Sequence, residues 1–200
     1  MPNQPEAKIK LVEAAKEEFL ENGYEKASLR NICKKAGVTT GALYFFYKNK
    51  EDLFVSIVGD KAERLLYYVK RQTEAEVSGS DKKNEFQKEL NLYMCENKEE
   101  VRILLDKSKG TPYEDFCEKY CAEVAKGFYS FYDMYGGTAE YRDIMKLIVK
   151  MRIQGYIEML NGDYDMDQLM RFSEMMETYG DCGFAGMMKQ FKEITKGSVK

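Results

Sequence analysis

Ser28 to Phe46 reads SLRNICKKAGVTTGALYFF, two short helical patterns joined by a glycine turn. The hydroxyl of Ser28 stands ahead of Leu29, Ile32, Cys33 and Ala36, whose spacing fits one buried helical face. Gly37 ends that helix, Val38 plugs the core, and Thr39 is placed to cap a further helix through about Phe46. Two such helices form a helix-turn-helix when a preceding helix packs across them. A solvated basic face on a plain three-helix bundle would produce much of the same pattern.

The flanks supply the remaining parts. A first helix is predicted from about Glu6 to Asn22, with Ile9, Val12, Ala15 and Phe19 on one face and Gly23 as its stop. Asn49, followed by Glu51 and Asp52, opens a fourth helix with carboxylates at its positive end, continuing to about Gln72. Val77 to Asp81 reads as a loop. Further helices are predicted near Lys82 to Glu96, Glu99 to Lys107, Pro112 to Tyr135, Thr138 to Leu160 and Asp165 to Lys192. The fold class is therefore all-α with about nine helices. It divides into a three-helix helix-turn-helix domain over residues 1–49 and a helical body over residues 50–200.

Charge is partitioned along the 200 residues, whose net value is −3. Residues 1–50 carry nine Lys and Arg against six Asp and Glu, whereas the remainder is acidic. Between residues 26 and 50, Lys26, Arg30, Lys34, Lys35, Lys48 and Lys50 have no acidic residue among them. That is a phosphate-facing charge on an acidic body. A hydrophobic content of 44% suffices for a packed core. With no stretch of roughly 18 to 20 apolar residues and no leader pattern, a soluble cytoplasmic protein without a membrane partner is expected.

Catalytic chemistry finds little footing. The chain has no His, so it lacks Ser-His and Cys-His pairs, and neither a glycine-rich phosphate loop nor a metal-ligand cluster stands out. No catalytic residue, metal or cofactor is expected, and the chain does not read as an enzyme. Its five cysteines, Cys33, Cys95, Cys117, Cys121 and Cys182, are scattered and read as small hydrophobes, with thiol sensing as the other reading.

From Leu11 to Phe54, LVEAAKEEFLENGYEKASLRNICKKAGVTTGALYFFYKNKEDLF, the chain resembles the DNA-binding domain of the tetracycline-repressor (TetR) family. The matching features are Ala14, Ala15 and Phe19, Gly23-Tyr24, Ser28, Ile32, Ala36-Gly37-Val38, Gly41, Leu43-Tyr44, and Lys50 with Leu53. The resemblance implies a transcriptional regulator, most simply a repressor. As such it would be a homodimer on a pseudo-palindromic double-stranded operator, released by a small apolar or aromatic effector. A cysteine-based redox regulator of the same DNA-binding type is the alternative.

By position, the resemblance puts Thr39, Thr40, Gly41, Ala42, Tyr44, Phe45 and Phe46 on the helix that enters the major groove. Tyr44 and Lys50 are expected to contact phosphate, which sets register without reading sequence. Arg30, Thr40 and Ala42 are candidates for base edges. Lys48 adds positive charge beside them. Phe46 and Tyr47 depart from the usual His or Tyr followed by Phe, so a phosphate bond is either lost or supplied by the Tyr47 hydroxyl. Phe45 serves equally as packing or as an apolar DNA contact. The resemblance also implies an effector cavity within residues 86–135, with Tyr93, Phe116, Tyr120, Phe128 and Tyr132 as partial lining. It makes the last two helices a dimer interface, although their apolar stripes fit an internal core as well.

Overall fold

The computed structural model describes residues 4–197. Among them the chain forms nine α-helices: α1 (Gln4–Lys26), α2 (Leu29–Ala36), α3 (Thr40–Phe46), α4 (Lys50–Ser78), α5 (Lys83–Glu96), α6 (Lys98–Asp106), α7 (Phe116–Met134), α8 (Ile144–Asn161) and α9 (Met166–Gly197). A single 3₁₀ turn, Ala139–Tyr141, precedes α8. The helices pack as two units, one comprising residues up to Leu65 with Asn97–Cys117, the other Leu66–Glu96 with Glu118 onward. Helix α4 begins in the first and ends in the second.

In the first unit α1 packs on α2, α3 and α6. Its buried face is Ala7, Leu11, Ala14, Ala15, Glu18 and Phe19, so the expected stripe is rotated and Ile9 is exposed. Phe19 and Tyr24 meet the Phe54 ring edge-on, with centroids 5.1 and 5.2 Å away. Gly23 takes φ 70, a left-handed value that breaks α1 before one last turn. Helix α6 joins this unit by burying Val101, Ile103 and Leu104. Its end accepts the Tyr24 N–H on the Lys107 carbonyl at 3.0 Å. Lys16 of α1 pairs with Glu99 at 2.6 Å and Glu100 at 3.5 Å. The packing unit thus recruits residues far beyond position 49.

Glu18 is a charged residue in the middle of the α1 buried face. It accepts the Ser28 N–H at 3.2 Å and the Asn31 side-chain amide at 3.2 Å, and lies 3.5 Å from the Lys35 ammonium. The carboxylate therefore answers donors at the positive end of α2, where the Ser28 hydroxyl itself makes no cap bond.

In the second unit α9 packs on both α5 and α8. A core of Tyr132, Met145 and Met188 is flanked by Phe128, Ile148, Phe184 and Phe191. Two helix starts fall later than the sequence predicts. Ser108 and Thr111 hold residues 108–113 in hydroxyl-bonded turns, including Ser108 Oγ to the Leu104 and Tyr113 carbonyls at 2.9 and 3.0 Å, so α7 begins at Phe116 rather than Pro112. Thr138 makes no side-chain cap bond and leads into the 3₁₀ turn, and α8 begins at Ile144.

Replacing Glu18 by Ala strands the Ser28 donor inside the first unit and is expected to lower its unfolding free energy by about 1–3 kcal/mol. Denaturant melting followed by circular dichroism measures this; an unchanged midpoint would deny the carboxylate its capping role.

Candidate nucleic-acid interface and interior cavity

The turn between α2 and α3 is built from backbone chemistry. Gly37 adopts φ 67, and the Val38 N–H reaches back to the Cys33 carbonyl at 3.0 Å, closing α2. Thr39 is extended, and its Oγ1 accepts the Ala42 N–H at 3.2 Å, opening α3. Ile32, Cys33, Ala36 and Leu43 are buried beneath this turn. At the start of α4, Asn49 Oδ1 accepts the Asp52 N–H at 2.8 Å while Asp52 accepts the Lys48 N–H at 2.9 Å.

This frame turns Thr39, Thr40, Gly41, Tyr44, Phe45, Lys48 and Arg30 outward, with Ala42 and Phe46 half-buried at the edge. Phe45 is 69% exposed even though its ring stands edge-on to Phe46 at 5.1 Å, so it is a surface side chain. Two expected contacts look different in the structure. Tyr47 is buried, 4% exposed, because it forms the extended C-cap of α3 and its ring turns inward. Its hydroxyl has no hydrogen-bond partner among the described residues and is in no position to replace a phosphate donor at Phe46.

Lys50 is committed to the protein. Its ammonium donates to the carbonyls of Tyr24, Ala27 and Glu25 at 2.6, 3.1 and 3.3 Å, and lies 4.4 Å from the centre of the Tyr24 ring. Burial lowers its pKa below the ordinary lysine value. That geometry speaks against the phosphate contact expected of Lys50 and leaves exposed Lys48 as the nearby cation.

Inside the second unit a cavity of about 40 Å³ is lined by Gln72, Glu76, Asn91, Tyr120, Phe128 and Arg152 among others. Beyond Glu76 and Phe128, which they share, lies a second cavity of about 170 Å³ walled by Phe131, Tyr135 and Phe184. Of the sequence-predicted lining, Tyr120 and Phe128 are present. Tyr93 and Tyr132 instead pack in the core, Tyr93 on the Tyr68 ring at 4.9 Å and Tyr132 bonding the Thr138 carbonyl at 2.8 Å; Phe116 is buried in the first unit.

Polar groups that the aromatic reading missed shape this interior. Glu177 accepts from Asn91 and, at 3.3 Å, from Tyr156, and Gln87 donates to Asn91 at 3.0 Å. Arg152 lies 3.7 Å from Asp181. Burial pushes the Glu76 and Glu177 carboxyls and the Tyr156 hydroxyl above their ordinary values. Burial opposes the Arg152 charge, yet Tyr156, Asp181, Glu177 and Glu76 hold its pKa up. The sequence did carry a signal, an arginine inside the apolar run of α8 and paired polar residues at 72 and 76 on α4.

A short glycine-turned helix pair buried against a third helix, with the leading edge of α3 exposed, defines a helix-turn-helix domain. Residues 11–57 match the family model of bacterial regulatory proteins of the tetR family. The chain is similar to the Fatty acid metabolism regulator protein of Bacillus subtilis (strain 168), 30% identical over 74 residues, 37% of this chain and 38% of that relative. It is also similar to the HTH-type transcriptional repressor BepR of Brucella suis biovar 1 (strain 1330), 48% identical over 46 residues, 23% of this chain and 22% of that one. The chain thus matches less than two fifths of the length of either relative. Across most of its length it shares the fold of a transcriptional regulator (TerR/AcrR family) from Aquifex aeolicus VF5, with a TM-score of 0.53, 18% identity, and coverage of 86% of this chain and 98% of that one.

Tyr47→Phe removes a buried hydroxyl without a partner and is expected to leave DNA affinity unchanged while holding or raising the melting temperature. Lys50→Met is expected to lower the melting temperature, because three helix-end carbonyls lose their donor. A Tyr47→Phe protein that melts normally but loses DNA affinity would return that hydroxyl to the interface.

Proposed function

We propose that this protein is a DNA-binding transcriptional regulator that occupies a pseudo-palindromic operator as a homodimer and leaves it when a small molecule enters the second unit. It acts as a repressor and not as an enzyme, and it works in the cytoplasm. Among the described residues no helix is long and apolar enough to cross a membrane. Residues 1–49 read the DNA, and residues 50–200 hold the effector and the dimer contact.

The observation that carries this reading is the exposed edge of α3 and the turn before it. Thr39, Thr40, Gly41 and Tyr44 are exposed there, with Arg30 on α2 and Lys48 after α3 supplying positive charge. Tyr44 and Lys48 serve phosphates, which fix register, and Arg30, Thr40 and Ala42 face base edges. Supporting the dimer, Leu147 and Met151 of α8 and Met175 and Tyr179 of α9 are all exposed, Tyr179 to 83%. Gly183 and Gly186 have open space where a side chain would stand, room for a helix of a second copy. As for thiol sensing, of its candidates Cys95 is buried, Cys117 and Cys121 are half-buried and Cys182 is exposed.

Selection of bound genomic fragments, followed by titration of the recovered duplex at several salt concentrations, tests the DNA function. Lys48→Ala is expected to reduce the salt slope by about one unit, and Arg30→Ala to relax base preference at one position per half-site. Failure to enrich any sequence over bulk DNA would overturn the reading. The dimer has its own test: Met151→Glu with Tyr179→Glu is expected to turn a sedimenting dimer into a folded monomer, and an unaltered protein that sediments as a monomer at micromolar concentration would sink it.

A further inference from the structure

Building on the effector role given above to the second unit, we infer that its ligand is a protonated amine carried on an aryl or alkyl body, bound through Gln72 and Glu76 with the aromatic rings around Phe128 enclosing the body. Among the described acceptors of the interior, Glu177 and Asp181 have partners while Gln72 and Glu76 do not, and Arg152 comes no closer than 3.7 Å to Asp181. The Asn91 amide and Tyr156 hydroxyl serve Glu177, and Asp181 lies beside Arg152. Gln72 is 9% exposed, lines the inner cavity, and has an amide oxygen without a hydrogen-bond partner among the described residues. Glu76 is shared by both cavities, and its carboxylate interacts with Arg152, Lys83 and the neighbouring acids only through the longer-range field.

Both groups accept hydrogen bonds, so the missing partner is a donor. They lie four residues apart on α4, one turn along the same helix face, close enough for a single ammonium to bridge them. Charge points the same way. Glu76, Glu177 and Asp181 outnumber Arg152 and Lys83 by three to two, so an anion entering here meets surplus negative charge. The outer cavity of about 170 Å³ adds the rings of Phe128, Phe131, Tyr135 and Phe184, whose faces attract cations as well as apolar bodies. Lys192 already lies 5.6 Å from the Tyr135 ring centre, and Arg152 5.8 Å from that of Phe128. Lys83 also borders this cavity; it is exposed, and a ligand ammonium displaces only its solvated field.

Calorimetric titration of the full chain, without DNA, with 4-phenylbutylammonium, 4-phenylbutanol and 4-phenylbutyrate compares one body bearing a positive, a neutral and a negative head. The ammonium is expected to bind, the alcohol at least about tenfold more weakly, and the carboxylate more weakly still, as fits hydrogen bonds between charged partners. Glu76→Gln is expected to weaken the ammonium about tenfold and leave the alcohol unchanged. Gln72→Leu is expected to weaken the ammonium alone. Should Glu76→Gln fail to fold by circular dichroism, Gln72→Leu and the three heads on the unaltered protein still decide. Equal binding of ammonium and alcohol overturns the inference, as does tightest binding of the carboxylate or no binding of any probe. Because no DNA is present, a failed operator selection leaves this titration valid, and a failed titration leaves the DNA reading intact.

Discussion

The exposed edge of the helix-turn-helix depends on a buried carboxylate, that of Glu18. Burying Glu18 would be costly unless its charge were answered, and it is answered by the N-terminal donors of α2 and by Lys35. The same bonds fix where α2 starts against α1. Since α3 follows α2 after only a tight turn, the placement of Thr39 to Tyr44 is inherited from that contact. Stability and placement are here one constraint: the contact that answers the Glu18 charge is also the one that positions the exposed edge.

Much of this was legible in the sequence because it is local. The end of α2 at Gly37, the Thr39 cap and the Asn49 start of α4 each rest on residues within four positions of one another, and their chemistry permits few alternatives. The Glu18 contact was not legible. A glutamate within a helix rich in lysine and glutamate looks like surface, and only a partner ten residues away reveals otherwise. The late starts of α7 and α8 have a similar cause, since side-chain hydroxyls compete for backbone groups that the periodic pattern assigns to the helix.

The interior of the second unit divides along the same line. Counting aromatics weighted every ring alike, whereas packing sends Tyr93 and Tyr132 to the core and leaves Tyr120 and Phe128 on the cavity. What distinguishes the cavity is its polar residues, and apart from Gln87 and Asn91 of α5 those lie on α4, α8 and α9, outside the segment that was dense in tyrosine and phenylalanine. Pairings between distant helices carry no periodic signal along the chain.

The clamp at Lys50 bears on which substitutions position 50 tolerates. Three carbonyl oxygens converge on its nitrogen at 2.6, 3.1 and 3.3 Å, and an ammonium has three donors radiating from one atom. A guanidinium spreads its donors over a flat fork and is suited to flat, two-oxygen partners. Arginine would keep the charge and still mismatch the acceptors, so the end of α1 distinguishes between two cations that a chart of similar residues treats as equivalent.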